Sequence, residues 1–270
     1  MGGPMSDDVL DRTFESLRVD RNDGVATITI DRPDDRNALN ATVRDELRTV
    51  LPAIEDAEER VAVITGSEEC NAFVAGADVT ELRERDLLEQ REASARPRIY
   101  ELVDELRTPV VARINGHALG GGLELAMACD VRVAEQGGKL GQPEINLGII
   151  PGGGGTQRLP RLVGEGQAMR LILSGELIDA DEAHEMGLVD LVCSSEEFDE
   201  RVESLTSGIA DKSPLALEFA KESIRSASRL PLDDGIDYEA QLFVQLFATE
   251  DKNEGIDAFF EDRAPEWEGK

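Results

Sequence analysis

The chain has 270 residues, 40% of them hydrophobic and 4% aromatic, with 28 basic against 57 acidic side chains and a formal charge of −29. That apolar content fills one sizeable core, which separates the chain from disordered acidic proteins. The charge argues against binding to a phosphate backbone, which needs basic patches, so no nucleic-acid partner is expected.

Cys70, Cys129 and Cys193 are far apart and form no CxxC pair, which argues against a disulfide framework or a thiolate zinc site and for small apolar core residues. No apolar run reaches membrane-spanning length, so no membrane partner is expected. The first residues, MGGPMSDDVLD, are acidic and carry no signal-peptide core; Met5 is the expected natural start, and the expected location is cytoplasmic. A surface this acidic repels itself in dilute buffer and is tolerated where salt screens it, which points to a halophilic cytoplasm.

In chain order, Leu17–Asp31 alternates around Asn22-Asp23-Gly24 and predicts a β-hairpin. A loop, 32–36, leads to Asn40, the expected cap of a helix with Val43, Leu47, Val50 and Ile54 on its apolar face. Asn40-Ala41-Thr42 also fits a glycosylation sequon, but capping is the reading preferred in a chain with no export signal. Val61–Thr65 reads as a short buried strand. Residues 71–78 (NAFVAGAD) read as a small-residue loop into a helix near Val79–Arg85. Residues 84–107 are charge-rich and helical, and their first part is expected to be a mobile cover.

The central stretch follows. Pro109–Ile114 is an apolar run, hence a buried strand; Gly120–Gly122 follow, then Leu123–Cys129, apolar except for Glu124. Glycines between strand and helix leave backbone N–H groups uncovered, and the helix start adds unpaired donors and a positive dipole end. Such a site suits an anion, or an oxygen that becomes anionic during reaction. Glu124 is expected to be half-buried, with burial and the helix terminus pulling its pKa in opposite directions. The plainer alternative is a tight turn with a carboxylate complementing the dipole. Glu144 lies in a loop bounded by Gly141 and Pro143, and Gly152–Gly155 opens a helix over Arg158–Leu173. A short helix, Asp179–Met186, and a strand, Gly187–Val192, precede a helical end: Phe198–Ile209, Pro214–Ser226, Pro231–Ala248 and Asn253–Arg263. This divides the chain into a core, 1–195, and a C-terminal helical region, 196–270.

Neither glycine run completes G-x-G-x-x-G or a P-loop, and G-x-S-x-G and H-E-x-x-H are absent. His117 precedes the first glycine run and is read as a hydrogen-bonded core residue rather than a ligand-binding one.

HALGGGLELAMACD, GQPEINLG and IPGGGGTQRL, in this order and spacing, resemble the enoyl-CoA hydratase/isomerase (crotonase) family from about Leu17 to Trp267. The resemblance implies an α/β spiral of ββα units whose terminal helices build a homotrimer or homohexamer. It implies an acyl-CoA thioester substrate, with no cofactor or metal beyond the coenzyme A carried by that substrate. The expected reaction, of fatty acid β-oxidation type, adds water reversibly to a 2-enoyl-CoA to give the 3-hydroxyacyl-CoA. An isomerase that moves the double bond, an RNA-binding member of the fold and a catalytically silent paralogue are the alternatives. By the family pattern Glu124 helps activate water and Glu144 exchanges the proton at Cα. Ala77 and Gly121 supply the oxyanion-hole N–H groups. Ala75, Gly76, Asp78, Gly120 and Gly152 line the substrate, and Arg36 or Arg32 meets the coenzyme's phosphates, unless these arginines only offset neighbouring aspartates. The chain departs from many relatives at Asp262, where lysine is common, and modestly at Trp267.

Overall fold

A computed structural model describes residues 9–270. The expected start at Met5 lies outside the described residues. The hairpin forms as β1 (Leu17–Asn22) and β2 (Val25–Ile30), with Leu17 opposite Ile30. Asp23 and Gly24 link them at φ 49° and 76°, the left-handed pair that a two-residue hairpin turn demands. Residues 33–35, inside the expected loop, close into a single 3₁₀ turn.

The Asn40 side chain accepts the Val43 N–H at 2.9 Å and starts α1 (Ala41–Asp56), whose Val43, Leu47, Val50 and Ile54 are all buried. Then come β3 (Val61–Gly66), β4 (Ala72–Val74), α2 (Val79–Glu84), α3 (Leu87–Ala93) and α4 (Ile99–Glu105). β5 (Val110–Ile114), β6 (His117–Leu119), α5 (Gly121–Ala128), β7 (Val131–Glu135) and β8 (Lys139–Gly141) follow, then a 3₁₀ turn at Pro143–Leu147 and α6 (Gly155–Ser174). The chain continues through β9 (Leu177–Asp179), α7 (Ala180–Glu185), β10 (Leu191–Cys193), α8 (Phe198–Ala210), α9 (Pro214–Ser226), α10 (Leu232–Leu246) and α11 (Glu250–Glu261).

Two sheets result, β1-β2-β3-β5-β7-β10 and β4-β6-β8-β9. Pairing is parallel except for β1 with β2 and β8 with β9. The chain steps from the large sheet to the small one three times: β3 to β4, β5 to β6 and β7 to β8. Each step is followed by helix or 3₁₀ turn, so this is the expected spiral of ββα units.

The sequence reading differs here in three places. Residues 71–78 contain β4, and β6, β8 and β9 are equally short; at three residues each, no alternation can show. The strand expected over Gly187–Val192 shrinks to Leu191–Cys193, because only there does it pair with β7. α6 begins earlier than expected and breaks at Gly164, at φ 79°.

The main core lies between α1, the two sheets, α4 and α5, with Phe73, Leu47, Ile64, Ile114 and Leu123 fully buried. A second cluster packs α8, through Phe198, Val202 and Ala210, onto the outer face of the large sheet at Val61, Val63, Val111 and Val133.

Candidate active site

The site forms where the chain leaves the small sheet, after β4, β6 and β8. Gly120 N–H donates to Gly141 O at 2.9 Å, which joins the end of β6 to the end of β8. Gly120 has φ 50° and ψ −122°, a backbone that favours glycine. A side chain there would meet the Glu144 carboxylate, whose Oε1 lies 2.9 Å from the position of a Cβ. Gly121 is the first residue of α5, so its N–H stands outside the helix's own ladder.

The second donor comes from the loop after β4. Leu39 and Ala77 form a parallel bridge in which Leu39 N–H donates to Gly76 O at 2.8 Å and Asp78 N–H donates to Leu39 O at 3.1 Å. Ala77's own N–H therefore faces away from Leu39. It turns toward Gly121: the Ala77 nitrogen lies 3.5 Å from where a Gly121 Cβ would stand. Two residues 44 positions apart thus bring backbone N–H groups to one place.

Glu124 is more deeply set than half-buried; it is 3% exposed in the first turn of α5. Gly153 N–H and Gly155 N–H donate to its Oε1 at 2.6 and 2.7 Å, so the second glycine run cradles the carboxylate that the first run introduces. Burial raises its pKa, opposed by these two N–H bonds and then by Arg98 and Arg158. Glu144, in the 3₁₀ turn after β8, is raised further, to about 7, by burial and by the charge of Glu124. Its Oε2 is buried with no hydrogen-bond partner among the described residues. Two carboxylates that feel one another therefore stand beside two N–H donors. One is pinned; the other is unpaired and poised to hold a proton near neutrality. Separated environments of this kind divide acid from base.

The remaining expected contacts are placed unevenly. Gly76, at φ 109°, gives the turn that frees Ala77, and Ala75 N–H donates to Arg36 O at 3.1 Å. Asp78 is engaged within the protein: its carboxylate caps α2 and pairs with Arg32 at 3.3 Å. Arg32 also binds Asp35 and Ala38 O, so it offsets aspartates rather than facing a ligand. Arg36 is exposed beside the loop over 75–77. Gly152 is exposed, and its carbonyl accepts from Arg98. His117 is hydrogen-bonded as expected: its Nδ1 accepts the Lys139 N–H at 2.9 Å, tying β6 to β8.

Three site residues go beyond those named from the sequence. Tyr100, on α4, sets its hydroxyl 3.0 Å from the Gly121 Cβ position and its ring against Gly153. Burial, Glu124 and Glu144 all push its pKa up, so it stays neutral. Gln142 is fully buried and donates to Gly120 O at 3.3 Å. Arg98 joins α4 to the second glycine run. Tyr100 and Arg98 arrive from a segment with no motif, whereas Gln142 lies inside GQPEINLG, one of the stretches that carry the resemblance.

Gly122 has a different duty from its neighbours. A Cβ there would lie 2.0 Å from Val74 O, so α5 rests directly on β4. Gly122→Ala is expected to destabilise the fold by about 1–3 kcal/mol or more, since neither backbone has room to yield. The check is a thermal melt, with Gly208→Ala alongside: Gly208 is also helical and has nothing within 4 Å of an added Cβ, so it isolates the effect of the clash.

With the geometry assembled, the class is clear: the chain belongs to the enoyl-CoA hydratase/isomerase family, whose family model matches residues 20–270. A 2,3-dehydroadipyl-CoA hydratase of Escherichia coli is 43% identical over 258 residues, 95% of this chain and 100% of that protein. A short-chain-enoyl-CoA hydratase of Clostridium acetobutylicum is 40% identical over 93% of this chain and 96% of its own length. The crystal structure of an enoyl-CoA hydratase from Bacillus anthracis superposes with a TM-score of 0.91 at 40% identity, over 95% of this chain and 100% of that one.

Proposed function

We propose that this protein is an enoyl-CoA hydratase, adding water reversibly to a 2-enoyl-CoA thioester. The observation that carries the reading is the pair of buried carboxylates, Glu124 and Glu144, beside the N–H groups of Ala77 and Gly121. Addition at C3 drives negative charge onto the thioester oxygen, where two fixed N–H donors stabilise it. Glu124, ionised and held by Gly153 and Gly155, takes a proton from water. Glu144, protonated, gives its proton to Cα. Double-bond migration needs only the second carboxylate, so the presence of both favours hydration. Coenzyme A enters as part of the substrate, and Arg36 is the cation we assign to its phosphates. Loss of the enoyl-thioester absorbance at molar potassium chloride, across a chain-length panel, tests the reading; a protein that moves the double bond of 3-enoyl-CoA but adds no water would sink it.

We also propose that the protein is a cytoplasmic homotrimer or homohexamer adapted to salt. Ile224, Leu232, Phe243, Val244, Phe259 and Phe260 on α9, α10 and α11, with Phe247 at the end of α10, are each more than half exposed, a large apolar area for a protein of charge −29. Buried between copies, these residues would join acidic surfaces that repel. At roughly 0.1 M salt the Debye length is about 10 Å, and in molar salt about 3 Å. Light scattering is therefore expected to show the oligomer dissociating as salt is lowered, with the melting temperature falling in parallel. A low-salt oligomer with unchanged melting would count against salt adaptation.

A further inference from the structure

We infer that Arg98 is a positioning residue for Glu124, acting through the single peptide unit that joins Gly152 to Gly153. This deepens the hydratase reading and rests on it.

The argument starts from the geometry of one amide. A trans peptide points its carbonyl and its N–H in opposite directions. In the 152–153 unit the carbonyl oxygen of Gly152 accepts from Arg98 Nη1, and the N–H of Gly153 donates to Glu124 Oε1 at 2.6 Å. The amide is therefore gripped at both ends, by a cation on one side and a carboxylate on the other. A cation on the carbonyl polarises the amide and strengthens its N–H as a donor. The grip matters because both residues are glycines, whose torsions leave a peptide between them free to turn over. If it turned, a carbonyl oxygen would face Glu124 in place of a donor.

Arg98 is itself held. Its Nε donates to both carboxylate oxygens of Glu101 at 3.1 Å, and its backbone N–H donates to the same group at 2.9 Å. Glu101 is 6% exposed, so the pair is anchored in the protein at the start of α4. The charged and titratable groups around Glu124 are few. Arg98 and Tyr100 face it from α4, Arg158 from α6 and Glu144 from the 3₁₀ turn. Arg158 holds the next carbonyl, Gly153 O, at 3.2 Å, and so supports the same loop from the far side. Arg98 acts on Glu124 in one sense only: it favours the ionised form against burial.

The test uses the intact oligomer and the variants Arg98→Met and Arg98→Lys, after wild type has been shown to hydrate crotonyl-CoA. A wild type that does not hydrate defeats the reaction reading before this inference is reached. Arg98→Met is expected to lower kcat on the order of 100-fold, the effect of a small misplacement of a catalytic group, with KM nearly unchanged. The acid limb of its kcat/KM profile should move to higher pH, because Glu124 without the cation ionises later. Arg98→Lys should return the limb toward wild type, since the charge is restored. Its kcat should stay low, since an ammonium lacks the fork that spans Glu101 and Gly152 together. A normal kcat in Arg98→Met, or a lowered kcat with the limb unmoved, overturns the inference. If Arg98→Met fails to fold, Arg98→Lys decides: a lowered kcat with the acid limb near wild type supports the inference, and a normal kcat or a limb moved to higher pH overturns it.

Discussion

Glu124→Gln and Glu144→Gln are each expected to slow hydration of a 2-enoyl-CoA by about 100- to 10,000-fold, roughly 3–5 kcal/mol of barrier. Glutamine keeps the shape of each side chain and removes the titrating group. At position 124 the amide oxygen can still accept from Gly153 and Gly155, so the loop stays in place and the loss reports chemistry. The double variant should lose less than the product of the singles, because groups that pass one proton act as a unit. An isomerase would behave differently, with Glu144→Gln severe and Glu124→Gln mild. Wild-type hydration by Glu124→Gln would defeat the two-carboxylate mechanism.

The pH dependence follows from the same pair. In the proposed hydration Glu124 begins ionised and Glu144 protonated; at the end the proton from water sits on Glu124 and Glu144 has given its own to Cα. The pair holds one proton at both ends, so hydration and dehydration should share one pH profile in kcat/KM. Burial and the Glu124 charge raise Glu144 to about 7. Activity is therefore expected to fall as pH rises through about 7, where the last proton leaves, and to fall at low pH, where Glu124 takes up a second one. A kcat/KM for crotonyl-CoA that stays level as pH rises through about 7 and beyond, or that does not fall at low pH, would contradict this proton count.

The second large effect concerns the Gly121 N–H. Proline at this position would remove the donor, but Gly120 holds ψ −122°, which lies outside the range tolerated before proline. Its added carbon would also press on the Tyr100 hydroxyl. Replacement of Gly121 by glycolic acid is the cleaner change: an ester oxygen takes the place of N–H and no side chain is added. The rate is expected to fall about 100- to 1,000-fold, the usual cost of one oxyanion donor. Coenzyme A binding and melting temperature should remain near wild type. Full turnover by a folded ester variant would put the oxyanion donors elsewhere.

Much of this site was legible in the chain itself. Glu124 is announced by three glycines ahead of an apolar helix, and Glu144 by a glycine- and proline-bounded loop, because strained turns and helix starts need particular residues. The hairpin at Asp23-Gly24, the Asn40 cap and the apolar face of α1 were readable for the same reason: each is a local pattern with a local cause. The short strands β4, β6, β8 and β9 were not, since three residues show no period and are held by partners far along the chain.

The sequence alone determined the two candidate carboxylates, the acidic surface and the helices that end the chain, all of them properties of residue type and spacing. Only the tertiary structure decided how those groups are tuned. It brought Ala77 beside Gly121, placed Gly153 and Gly155 on Glu124, and drew Arg98 and Tyr100 from the unmarked segment around α4. The physical reason is that burial, orientation and the field at a carboxylate depend on groups far apart in the chain. No local pattern records those distances.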